Sequence, residues 1–155
     1  MKYIPLGGKK GKGKFAIVDD KNFSKLNKYK WHLISIGYAE TKIGDDRFYM
    51  HRMIMHVTSR LQVDHINHDI LDNRESNLRL VTVSQNHMNM RKHRGSSKYK
   101  GVSWNKKLQK WETYININYK RYRIGFFKEE KDAARAYNLK AIELAKEFSK
   151  LNTIG

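Results

Sequence analysis

The chain contains no cysteine, and acid is scarce in it: 15 Asp and Glu stand against 32 Lys and Arg in 155 residues, a formal net charge of +17. The missing cysteine excludes disulfides and cysteine-ligated zinc and fits an intracellular protein. No apolar run approaches the roughly 20 residues that span a bilayer. The basic, glycine-rich opening from Met1 to Lys14 has no apolar stretch behind it, so it does not read as a secretory signal. There is no internal repeat. What the acid shortage leaves is a positive excess that repels itself in a compact fold and usually persists because the partner is a polyanion. Nucleic acid is the first candidate and an anionic membrane the second. The membrane is disfavoured because the cations lie across an expected sheet rather than along a basic amphipathic helix. A soluble, cytoplasmic protein is expected, built as one ordinary domain or as two or three small modules.

Three stretches are legible. In the first, residues 1–57, Lys9 to Lys14 reads as a mobile basic turn and Phe15–Val18 as a strand. Asp19-Asp20 can cap a short helix that carries Phe23, Leu26 and Tyr29 at helical spacing. Trp31–Ile34, Gly37–Ala39 and Phe48–Met50 read as strands, with turn residues at Gly44-Asp45-Asp46 and a short helix over His51–His56. In the second, residues 58–93, Leu61–Ile66 is strand-like. The run Asn67 to Asn77 is loop-forming, because Asn and Asp side chains bond the local backbone. Leu78–Val81 is a second strand. Thr82 with Gln85 three residues on matches a capping box and starts a helix toward His93. After a linker at 94–98, the third stretch, residues 99–155, holds strands over 99–104, 111–117 and 121–127. A helix over 129–149 follows, with the stripe Ala133, Tyr137, Ala141, Leu144, Phe148. The fold class is α+β.

The segment Val63-Asp64-His65-Ile66-Asn67, then Leu71-Asp72-Asn73-Arg74, Asn77-Leu78-Arg79 and Gln85-Asn86 resembles the HNH (His-Asn-His) nucleases, in their phage and homing-endonuclease branch. Members of that branch clasp one metal ion with a strand–loop–strand–helix unit, and the order read from residue patterns agrees. The resemblance implies that His65 is the general base, a role suited to a side chain with an unperturbed pKa near 6.5. It makes Asp64 a metal ligand and Asn86 the second ligand, in place of the final His of the family name. His87 is the rival for that place. Two oxygen ligands suit one hard divalent ion, magnesium or manganese. Asn77 matches the middle Asn and is expected to hold the His65 backbone across the loop. Arg52, grouped with the catalytic residues, and Arg74 and Arg79 are candidate phosphate clamps. Met50-His51-Arg52 also resembles the pattern upstream of the nuclease unit. Asn67, Asp69, Asp72 and Asn73 read as loop formers and solvated acids.

Residues 97–152 resemble the APETALA2-type DNA-binding domain through Tyr99-Lys100-Gly101-Val102, Trp111, Ile115, Ile124-Gly125-Phe126-Phe127, Glu130, Ala133-Ala134, Ala136-Tyr137 and Leu151-Asn152. In that family a three-stranded sheet enters the major groove and one helix backs it, so double-stranded DNA is the implied partner. The candidate DNA-facing residues are Lys98, Lys100, Ser103, Trp104, Asn105, Lys106, Lys107, Thr113, Arg121 and Arg123. Several of these stand where plant members carry arginine, so base specificity is not carried over. The expected activity is metal-dependent cutting of DNA by a monomer, in a host cytoplasm if a phage encodes it. The rival is a DNA-binding regulator without catalysis.

Overall fold

Ile4 and Leu6 are buried while Tyr3 and Pro5 are exposed. That period of two makes Lys2–Gly7 a strand, β1, where the composition alone indicates only a basic opening. The computed structural model describes residues 1–57, 60–90, 95–145 and 148–155. They form two compact units, Met1–Val81 and Thr82–Gly155. The expected helix extension to His93 and the basic residues Arg91, Lys92 and Arg94 lie outside the described residues.

In the first unit, β1 pairs antiparallel with β2 (Phe15–Val18) across the basic turn, and parallel with β3 (Trp31–Leu33). Two antiparallel neighbours, β4 (Ala39–Ile43) and β5 (Asp46–Tyr49), complete a sheet of order β2-β1-β3-β4-β5. Helix α1 (Asp20–Leu26) and helix α2 (Met50–Ile54) cover it. Met50, expected at the end of a strand, is instead the first residue of α2. The core gathers Ile4, Leu6, Val18, Leu26, Trp31, Met50 and Ile54, together with Val63 and Leu78. These last two come from β6 (Gln62–His65) and β7 (Leu78–Val81), an antiparallel pair. The loop between β6 and β7 is stitched onto the large sheet. Ile17 donates its N–H to Leu71 (2.8 Å), and its carbonyl accepts from Asn73 N–H (2.8 Å). Asp19 does not cap α1 with its side chain. Its carboxylate accepts instead from the backbone N–H of Glu75 (2.8 Å), at the start of a single 3-10 turn, Glu75–Asn77.

The second unit opens with α3 (Val83–Asn89), for which both halves of the Thr82–Gln85 capping box are formed. Three antiparallel strands follow, β8 (Val102–Asn105), β9 (Lys110–Ile117) and β10 (Lys120–Phe127), in the order β10-β9-β8. The β9–β10 hairpin turns on Asn118 and Tyr119, both at positive φ (49° and 62°), the backbone that a two-residue hairpin turn requires. Helix α4 (Glu130–Ala145) backs the sheet. Its buried Ala133, Ala134, Tyr137 and Ala141 meet Val102 and Ile115, so small residues let helix and sheet come close. Gly101 is obligatory in that packing, since a Cβ there would lie 2.2 Å from the Tyr137 ring. The α+β class and its expected parts are present: an N-terminal sheet, a strand–loop–strand region and a C-terminal three-stranded antiparallel sheet with one helix.

Candidate active site

Strand β6 ends at His65, and Val63, Asp64 and His65 are all buried. Adjacent strand residues point to opposite faces, so the pair is enclosed on both sides of the β6–β7 ribbon. Asp64 lies directly across from Arg79. The Arg79 guanidinium donates to Asp64 Oδ2 at 2.9 Å through Nε, and Nη2 lies 2.9 Å from the same oxygen. A buried carboxylate needs such a partner, because an uncompensated charge in the interior is strongly destabilising. His65 has a buried Nε2 without a hydrogen-bond partner. Burial lowers its pKa, opposed by Asn73 and then by the carboxylates of Asp64, Asp69 and Asp72. The resting ring is therefore held neutral, while the surrounding acids favour the imidazolium once a proton arrives.

The loop after His65 is braced by Asn77. Its Oδ1 accepts from Asn67 N–H (2.9 Å), its Nδ2 donates to the Asp72 carbonyl (2.8 Å), and its main-chain carbonyl accepts from Ile66 N–H (2.9 Å). The brace thus holds the two residues that follow His65. Asp72 and Asn73, expected as a solvated acid and a loop former, are 2% and 1% exposed. Asp72 takes Arg74 Nε and Nη2 at 2.7 and 2.6 Å and Asn67 Nδ2 at 2.9 Å. Its carboxyl is consequently held below the usual range, first by Arg74. This pairing ties the guanidinium of Arg74, whose side chain is 38% exposed, to the loop carboxylate.

A ring cluster surrounds His65 that the sequence only half reveals. The His51 ring lies 5.4 Å from that of His65, edge to face. Tyr38 packs on both, at 4.7 Å from His51 and 6.1 Å from His65. Tyr49 stacks flat on His51 at 5.7 Å. Burial, then His65 and Arg52, push the His51 pKa down to about 3, so His51 is a neutral wall of the site. The Met50-His51-Arg52 pattern pointed to His51. Nothing local pointed to Tyr38. Arg52 sits beside this cluster on α2, with Nη1 3.4 Å from the Leu61 carbonyl and Nη2 3.5 Å from that of Val57.

Asn86 belongs to α3 in the second unit, where both ends of the helix are secured. The capping box closes its start, and Ser84 Oγ accepts from Asn118 N–H (2.8 Å) at the hairpin turn. At the other end Lys100 Nζ donates to the carbonyls of His87, Met88 and Met90 at 3.1, 2.6 and 2.7 Å. Burial lowers the Lys100 pKa to about 8. Lys100 therefore serves α3 rather than the sheet surface.

Strand register sorts the remaining DNA candidates. Ser103 pairs with Glu112, Asn105 with Lys110, Arg121 with Asn116 and Arg123 with Tyr114, and these residues share the face turned away from α4. Arg121 lies over the Tyr114 ring at 4.3 Å, and Arg123 is paired with Glu112 at 2.9 Å. Lys98, Lys106 and Lys107 are exposed. Thr113 is fully buried and donates to the Gly101 carbonyl (2.9 Å). Trp104 lies on the α4 side, edge to face with Trp111 at 5.0 Å. Neither Thr113 nor Trp104 reaches the outer face.

A strand ending in a buried Asp-His pair, an Asn-braced loop, a returning strand and a capped helix follow one another along the chain, the element order of a nuclease-type unit. Residues 56–88 match a family model described as HNH endonuclease. A protein of Acanthamoeba polyphaga mimivirus, described as an uncharacterized HNH endonuclease, is 36% identical over 161 residues, covering 98% of this chain and 81% of the relative. No solved structure matches significantly. The chain belongs to the HNH endonuclease family, enzymes that hydrolyse phosphodiester bonds and typically use a divalent metal ion. Among the described residues no helix is long and apolar enough to cross a membrane.

Proposed function

We propose that this protein is a metal-dependent DNA endonuclease of the homing type, with His65 as general base and Asp64 and Asn86 as metal ligands. The observation that carries this reading is the motif-matched Asp64–His65 pair, buried at the end of β6 with one imidazole nitrogen unpartnered. A buried polar atom without a partner is costly and calls for an explanation, which proton transfer supplies here. The donor set fits the metal: a carboxylate and an amide oxygen suit magnesium or manganese. The pairing of Asp64 with Asn86 rests on the resemblance to the homing branch of the family. When bound, such an ion supplies charge relief at the scissile phosphate and the leaving oxygen.

The chain's own residues do the rest. His65 accepts the proton of the attacking water. Asp64, Asp69 and Asp72 stabilise the imidazolium that results. Asn77 keeps the backbone after His65 fixed, and Arg52 faces the phosphate. The products carry 5′-phosphate and 3′-hydroxyl ends. The C-terminal sheet, by its resemblance to the APETALA2 type, holds double-stranded DNA through Ser103, Asn105, Lys106, Lys107, Arg121 and Arg123, with Lys98 alongside. A plasmid-cleavage assay with magnesium tests the assignment. His65→Ala should cut at least about 100-fold more slowly, as expected for loss of a general base, while binding DNA as before. Equal cutting by both proteins would overturn it.

A further inference from the structure

A groove of about 530 Å³ opens on the first unit between α1, β5 and α2. That volume is within the range of small-ligand sites. Phe48, Tyr49 and Met53 line it together with the cationic Lys25, Arg47 and Arg52, and among the described residues no acidic side chain lines it. Phe48 is 37% exposed, an aromatic face open to the groove. Among the described residues Arg47 is paired with Glu40, at 3.3 Å, with 73% of the Arg47 side chain and 14% of the Glu40 side chain exposed. The exposed side of the Arg47 guanidinium is open to a phosphate. Among the described residues Arg52 touches backbone carbonyls at the long end of hydrogen-bond range, which do not neutralise its charge. Tyr49 joins the groove to the cutting site, since it stacks flat on His51, whose ring abuts His65.

We propose that this groove binds an unpaired nucleotide of the DNA substrate, its base stacked on Phe48 and its phosphates held by Lys25, Arg47 and Arg52. The proposal rests on the reading of His65 as the base of the cutting site. An aromatic lining with Lys25, Arg47 and Arg52 beside it is complementary to a π-faced, anionic ligand. The base must be unpaired, because a base within a duplex has both faces covered by its neighbours. One ring, that of His51, lies between Tyr49 and His65, so the groove adjoins the cutting site.

The test uses the full chain in the presence of a chelator, so that binding is read without cleavage. Phe48→Trp places a fluorescent stacking reporter in the groove, and its emission is compared with that of the wild-type chain. An unstructured oligothymidylate should quench the added emission, whereas polyglutamate should not. Phe48→Ala should weaken oligothymidylate binding about tenfold, the scale of one lost base–aromatic stack, and leave blunt-duplex binding nearly unchanged. Unquenched Phe48→Trp emission, or quenching by polyglutamate, would overturn the proposal. So would quenching that grows with protein concentration alone, because a second copy would then fill the groove. If Phe48→Ala fails to fold by circular dichroism, the reporter variant still decides. Cleavage without quenching removes the groove and keeps the nuclease, and quenching in a protein that never cuts removes the nuclease.

Discussion

At the scale of single residues, the site is a set of buried polar groups whose costs are met unequally. Asp64 and Asp72 are each paired with an arginine. The two histidines are kept neutral by burial instead, and this gives folding a pH dependence with a definite sign. His51 has a folded pKa of about 3 against an ordinary 6.5, so the unfolded chain binds more protons between those values. Its contribution to stability is fully present above about pH 6.5 and is lost as pH falls toward 3. Each unit of pH is worth at most about 1.4 kcal/mol. Denaturant titrations at pH 7 and pH 5 should therefore show a stability loss that is smaller in His51→Phe than in the wild type by about 2 kcal/mol. The lowered His65 pKa acts in the same direction and remains in the variant. An unchanged loss would mean that His51 does not enter the fold neutral.

At the scale of elements, α3 is short, and seven residues do not make a stable helix in isolation. Its persistence comes from its ends and from Met88, which packs with Ile115, Tyr137 and Ala141. Thr82→Ala removes the side-chain half of the capping box and should cost about 1 kcal/mol. Lys100→Met leaves three carbonyls without their shared donor and should cost about 1–3 kcal/mol. Hydrogen exchange at the α3 amides measures both. Protection should fall throughout the helix in each variant, and unaltered exchange would show that the packing of Met88 suffices. The capping box was legible in sequence because its partners stand three residues apart. The role of Lys100 was not, because its partners lie in a different element and a lysine beside a basic strand looks like any surface cation.

At the scale of the whole molecule, a net charge of +17 makes DNA affinity steeply dependent on salt. Exposed cations and buried ones should separate in that dependence. Replacing Lys106 or Lys107, both exposed on the β8–β9 turn, with Ala should lower the slope of log K against log salt by about 1 for each phosphate no longer neutralised. Fluorescence anisotropy with a labelled duplex at several salt concentrations reads it directly. A slope equal to that of the wild type would take those lysines off the DNA.

The sequence by itself determined the features whose signals are local or fixed in spacing. The α+β class came from hydrophobic periods of two and 3.6 residues, the start of α3 from Thr82 and Gln85, and the HNH family from the run Asp64-His65 through Asn77 to Asn86. Only the tertiary structure decided which chemistry-bearing side chains meet. It put His51 and Tyr38 against His65, sent the Asp19 carboxylate to Glu75 rather than to its own helix, and folded Asp72 inward onto Arg74. It turned Thr113 and Trp104 toward α4 and left Ser103, Asn105, Arg121 and Arg123 outside. The physical reason is that periodicity fixes which residues of a strand share a face. Which face is then buried, and which distant side chain lies against it, depends on packing between elements that no local pattern encodes.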